Sequence, residues 1–118
     1  MSSPTSEVGK AFAGRIGEIV DKGFLCLALG LGHKLKLFDV LGAAATDSQT
    51  AITSQQLADQ AGFRERYIRE WLGAMVCGRI VEASEDGLRF WLPAERMPAL
   101  AQGTSELRHL LVYLWPRI

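Results

Sequence analysis

The stretch from Thr53 to Leu92, TSQQLADQAGFRERYIREWLGAMVCGRIVEASEDGLRFWL, carries two helical repeats and then an alternating one, and that order leaves few folds open. Thr53 and Gln56 have capping-box spacing: at a helix start, each side-chain oxygen accepts from the other residue's backbone N–H. Leu57, Ala58 and Ala61 then make a short buried stripe, and Gly62 supplies the C-terminal turn. A second helix is expected from Arg64, because Ile68, Trp71, Leu72, Met75 and Val76 fall at i, i+3, i+4, i+7 and i+8. Gly78 stops it. Ile80, Val81 and Glu82 start a strand, Glu85-Asp86-Gly87 is a hairpin turn, and Leu88 to Leu92 returns. Short helix, turn, longer amphipathic helix and hairpin, in this order, make a winged helix-turn-helix with a two-stranded β wing.

Ahead of this block, Val8, Phe12, Ile16, Ile19, Val20, Leu27 and Leu31 recur at steps of three and four, one face of a long N-terminal helix. Gly14, Gly17 and Gly23 each weaken that helix by about 1 kcal/mol relative to alanine, so close packing against another surface is expected. Beyond Gly23 the run FLCLALGLG is apolar all round, as in a helix buried on most sides. Gly30 and Gly32 are expected to interrupt it. A second helix follows in HKLKLFDVLGAA, with Leu37, Phe38 and Leu41 inward and Lys34, Lys36 and Asp39 in water. Residues 45–51 read as a polar loop, and the segment after Pro93 as a short helix or irregular tail. The expected fold class is mainly α. Its organisation is a disordered N-terminus at 1–6, a winged-helix domain at 7–102, and an apolar C-terminal tail of different character at 103–118. That tail carries the stripe Leu107, Leu110, Leu111 and Leu114 and needs a surface to cover.

Composition narrows function more than fold. The 118 residues fit one domain, with 48% apolar and 22% charged residues. Thirteen basic and thirteen acidic side chains cancel, so no bulk field draws the chain to nucleic acid or an anionic membrane. No basic segment followed by an apolar core opens the chain, and the run Gly23 to Gly32 is about half the length of a membrane span. Cys26 and Cys77 read as buried free thiols in a reduced compartment. A cytoplasmic protein without membrane contact is the expectation.

Chemistry-bearing motifs are sparse. Gly30-Leu31-Gly32 lacks the third glycine and following strand of a nucleotide loop and reads as a helix break. His33 and His109 are far apart, with no zinc-ligand spacing, and His33 reads as a surface or capping residue. No serine lies in a GxSxG setting, so no catalytic, cofactor-binding or metal residue is assigned. In the second helix of the block, Arg64, Arg66 and Arg69 are where a DNA reader would place its contacts. Glu65 with Arg69, and Arg66 with Glu70, are i, i+4 pairs of opposite sign, and the wing tip Ser84-Glu85-Asp86-Gly87 is acidic. Both features weigh against DNA. Tyr67, Trp71 and Met75 at helical spacing read as core packing before ligand lining. The best partner surface is the first helix, through Phe12, Ile16, Ile19, Val20 and Phe24, as the interface of a homodimer.

The segments LGHKLKLFDVLGAA, TSQQLADQAGFRERYIREWLGAMVCGRIVEA and GLRFWLPAE together resemble the N-terminal winged-helix domain of a family of class I S-adenosylmethionine-dependent methyltransferases. The resemblance covers about residues 8 to 100. It implies a domain that forms the dimer and covers part of the acceptor-substrate pocket, either with a copy of itself or with a full-length methyltransferase. In that family the cofactor and the methyl-transfer residues belong to a larger domain that follows. The chain ends at Ile118, before any such domain, so a truncated form is expected, without S-adenosylmethionine binding or methyl transfer of its own. The competing reading is a winged-helix transcriptional regulator that binds DNA.

Overall fold

The computed structural model describes residues 6–100. In chain order they form α1 (Glu7–Lys34), α2 (Leu37–Ala44), β1 (Ile52–Thr53), α3 (Ser54–Ala61), α4 (Glu65–Cys77), β2 (Glu82–Ala83) and β3 (Arg89–Trp91). A 3-10 turn, Ala94–Arg96, and α5, Met97–Leu100, follow. The apolar C-terminal segment and His109 lie outside the described residues, as do residues 1–5.

The block from Thr53 folds as its pattern dictates. Gln56 N–H donates to Thr53 Oγ1 at 3.1 Å and Thr53 N–H donates to Gln56 Oε1 at 2.8 Å, closing the capping box of α3. Gly62 takes φ +80°, the left-handed turn that redirects the chain into α4. Leu57 and Ala58 from α3, and Ile68, Leu72 and Met75 from α4, are buried together with Leu37, Phe38 and Leu41 of α2. β2 and β3 pair antiparallel, with Glu82 opposite Trp91 and Ala83 opposite Phe90. The sheet has a third member: β1 pairs antiparallel with β3, Ile52 opposite Phe90, giving the order β1-β3-β2. Two residues are too short to display a period, so this strand left no mark in the sequence pattern. Leu92 N–H donates to Ala45 O at 2.9 Å and fastens the hairpin to the end of α2.

The first helix departs from the sequence expectation in three ways. Ser6 is its N-cap rather than a frayed residue, its hydroxyl accepting from Gly9 N–H at 3.1 Å. Gly30 and Gly32 do not break the helix, which runs 28 residues to Lys34 and stops where Lys36 adopts φ 61°. Both glycines are buried inside it. A Cβ on Gly32 would sit 2.4 Å from Trp71 Cζ2 and 2.9 Å from Phe38 Cε2, so glycine there permits close packing rather than a turn. Thirdly, the apolar run after Gly23 is not enclosed: Phe24, Leu27 and Leu31 face solvent.

Three smaller expectations also change. His33 is 4% exposed, and its Nδ1 lies 3.1 Å from Leu100 O. A carbonyl can only accept, so Nδ1 carries the proton in that pair. Asp39 is half-buried, and its Oδ2 has no hydrogen-bond partner among the described residues. Cys77 is exposed and Cys26 half-buried, so neither thiol is enclosed in the core.

Candidate interaction surface

A helix turns about 100° per residue, so residues three, four and seven apart share a face. In α1 that rule separates two sides. Leu25, Ala28 and Leu29 pack against the core, with Gly32 beneath the Trp71 ring. Trp71 Nε1–H donates to Ala28 O at 2.9 Å, joining α4 to α1. The opposite side carries Val8, Phe12, Ile16, Ile19, Val20, Phe24, Leu27 and Leu31, and all of them are exposed, from 82% at Val8 to 41% at Ile16. Every residue from Ser6 to Phe24 is exposed, so the first half of α1 extends beyond the domain as an arm. Lys10, Arg15, Glu18, Asp21 and Lys22 occupy the arm's other side, and the Arg15 guanidinium lies 5.7 Å from the Phe12 ring centre.

The five residues expected to form a partner surface, Phe12, Ile16, Ile19, Val20 and Phe24, therefore fall on one continuous stripe. All five are exposed. The sequence places Leu27 and Leu31 on this same face, but the exposure of both was missed, because the run beyond Gly23 reads as buried on most sides. The segment is apolar on both sides, one serving the core and the other left outside.

Beside the base of the arm, α1 and α4 form the walls of an apolar groove. One portion, about 640 Å³, is lined by Val20, Phe24, Leu25, Ala74, Cys77 and Gly78 with Asp21 and Lys22 at its edge. A second, about 330 Å³, lies on the other side of Phe24 among Leu27, Ala28, Leu31, Tyr67, Trp71 and Ala74, with Glu70 at its rim. Tyr67 is 63% exposed and belongs to this wall, not to the core.

The outward face of α4 is electrically closed on itself. Arg66 Nε lies 3.9 Å from Glu70 Oε1, and Arg69 Nε lies 3.7 Å from Glu65 Oε2. Glu65 also accepts from the Ser54 hydroxyl. Arg64 precedes α4 as its N-cap, exposed and without a side-chain capping bond. At the wing tip, Asp86 Oδ1 accepts from Ser84 Oγ at 2.6 Å and from Leu88 N–H at 3.0 Å. The Ser84 hydroxyl, with the Leu88 amide behind it, holds the Asp86 carboxyl below its usual range. Asp86 is thus an internal acceptor that shapes the turn, and Glu85 beside it is exposed. Among the described residues no group of three His, Cys, Asp or Glu side chains could hold a metal ion. No described helix is long and apolar enough to cross a membrane.

Capped helix, turn, core-facing helix and three-stranded wing define a winged helix-turn-helix protein. Residues 23–102 match the family described as the Rv2258c-like winged HTH domain, and the chain belongs to that family. No curated protein matches the chain.

Proposed function

We propose that this chain is an assembly and substrate-covering domain of a methyltransferase-type enzyme, in which the stripe of α1 pairs two copies or pairs the chain with a full-length relative. The observation that carries the reading is the unbroken apolar face from Val8 to Leu31, exposed along its whole length. A lone soluble domain rarely leaves more than a few hundred Å² of contiguous apolar surface uncovered. The methyltransferase part rests on the resemblance of residues 8 to 100 to the winged-helix domains that precede the catalytic domain in those enzymes. In them the cofactor is held by the catalytic domain, so this polypeptide by itself is expected to give no heat with S-adenosylmethionine in calorimetry.

Sedimentation of the full chain tests the assembly. Wild type is expected to sediment as a dimer at micromolar concentration, and the double variant Phe12→Asp/Ile19→Asp as a monomer of unchanged helix content. A wild-type monomer across the whole concentration range, with no pairing to a methyltransferase of the resembled family, would overturn the reading.

DNA binding is kept as a second reading because the helix-turn-helix is complete and Arg64 is exposed at the start of α4. The carboxylates beside Arg66 and Arg69 and the acidic wing tip oppose it, since each repels phosphate. A gel shift with duplex DNA decides. Specific binding with a steep loss on adding salt would favour the regulator.

A further inference from the structure

The projecting arm and the α1 wall of the α1–α4 groove belong to one helix but lie on successive halves of it. Val8 to Ile19 project past the domain, whereas Phe24, Leu27 and Leu31 form one wall of the groove opposite Tyr67 and Ala74. We propose that each arm lies in the groove of a second copy of this chain, the two α1 helices running antiparallel about a two-fold axis between Ile19 and Val20. The proposal rests on the assembly reading above and adds which surface receives the arm.

Three observations carry it. The first is register: an axis between residues 19 and 20 sets Val8 against the partner's Leu31, Phe12 against the partner's Leu27 and Ile16 beside the partner's Gly23. The bulky residues of the arm then meet the groove wall along its length, and Ile16 faces a position without a side chain. Gly23 has nothing within 4 Å of where a Cβ would stand, so this space is unused in a single copy.

The second is area. The exposed apolar side chains of α1 present on the order of 800 Å² per copy, which is one partner's share of a standard stable interface. An arm packed only against a partner's arm would leave the groove walls and Tyr67 in water. Seating it between α1 and α4 covers both, and a two-fold operation makes the same contact twice, so the assembly closes at two copies.

The third is charge. Lys10 and Arg15 flank the apolar stripe of the arm, one on each side, while the rim of the groove carries the carboxylates Asp21 and Glu70 against one cation, Lys22. Cations on the inserted element and carboxylates on the receiving rim favour this docking, although such rim pairs contribute more to orientation than to affinity.

Cross-linking of the full chain through its own Cys77 reads the contact. Cys77 is exposed and lines the groove next to Gly78, whose position touches Leu25. Ala13 of the same copy lies twelve residues before Leu25 along α1, roughly 18 Å of helix, too far for a short bismaleimide. In the variant Ala13→Cys/Cys26→Ser the expected product is a covalent dimer, abolished by the further change Cys77→Ser while sedimentation still shows a dimer. A cross-link that survives Cys77→Ser would join arm to arm and overturn the groove, as would a dimer that does not cross-link. Either result leaves pairing through α1 standing. A wild-type chain that sediments only as a monomer removes this docking between copies, and the assembly reading falls with it if the chain also fails to pair with a methyltransferase of the resembled family. If alkylation in that case finds Cys77 shielded, the occupant is a segment of the same chain.

Discussion

Trp71 Nε1–H donates to the carbonyl oxygen of Ala28 at 2.9 Å, and the same indole lies over Gly32 one turn further along α1. This pair joins α4 to α1, with the Phe38 ring 5.1 Å away completing the contact. Trp71→Phe removes the donor and part of the packed surface. A loss of about 1–2 kcal/mol of unfolding free energy is expected, read from the urea midpoint at constant m-value.

Gly32 and Gly73 make a paired prediction of opposite sign. Gly32→Ala drives a methyl into the Trp71 ring and is expected to cost about 1–3 kcal/mol, despite the better helix propensity of alanine. Gly73, on the outer side of α4, has nothing within 4 Å of its missing Cβ. Gly73→Ala should stabilise the domain by about 0.5–1 kcal/mol. Denaturation midpoints shifting in the same direction would refute the packing role given to Gly32.

These glycines show where sequence reading reaches its limit. A capping box, a left-handed glycine and a strong i, i+3, i+4 repeat are local signals, so α3, the turn at Gly62 and α4 were legible residue by residue. Gly32 carries the same local signal whether it ends a helix or admits a tryptophan 39 positions later. Only the tertiary partner distinguishes the two. The arm's residues Phe12 to Phe24 were legible as an apolar face, yet the groove was not, because it needs the lateral placement of Tyr67 and Ala74 beside Leu27. β1 was invisible for a simpler reason: two residues cannot alternate enough to be read.

The ion pairs on α4 predict how DNA affinity could be created. Glu65→Gln/Glu70→Gln removes the carboxylates facing Arg69 and Arg66. If those carboxylates suppress phosphate contact, the double variant should bind duplex DNA more tightly than wild type at low salt, with a steeper salt dependence. Unchanged gel shifts in both proteins would show that α4 is silent toward DNA for another reason.

Asp86 should make the wing acid-sensitive. Its carboxyl is held low by the Ser84 hydroxyl and the Leu88 amide, so the folded state binds this proton less readily than the unfolded chain. The stabilisation is present above the unfolded carboxylate value, near pH 4. It is lost as the pH falls through the lower folded value. Thermal melts of wild type and Asp86→Asn should differ at pH 6 and converge as the medium is acidified below about pH 4.

Arg96 fastens the wing to its root. Its Nη1 lies 3.0 Å from Glu82 Oε2 and donates to Ile80 O at 3.0 Å. Both charged groups are partly solvated, so Arg96→Ala is expected to cost only about 1 kcal/mol. Hydrogen exchange should localise the loosening to β2 and the preceding turn. Arg96→Lys should recover part of it, because both contacts are made by the one nitrogen Nη1 and an ammonium also offers several donors from a single nitrogen.

A helix held only over its last third is a cantilever. α1 has no hinge between the packed residues at its root and its tip, since glycines 14, 17 and 23 all lie within continuous helix. A tilt of roughly 10° at the Gly32–Trp71 seat would swing the tip at Glu7 by about 6 Å, given a rise of about 1.5 Å per residue from Gly32 outward. The spacing and angle of whatever the tip engages are therefore written in the fit of one glycine against one indole, far from the residues that make the engagement.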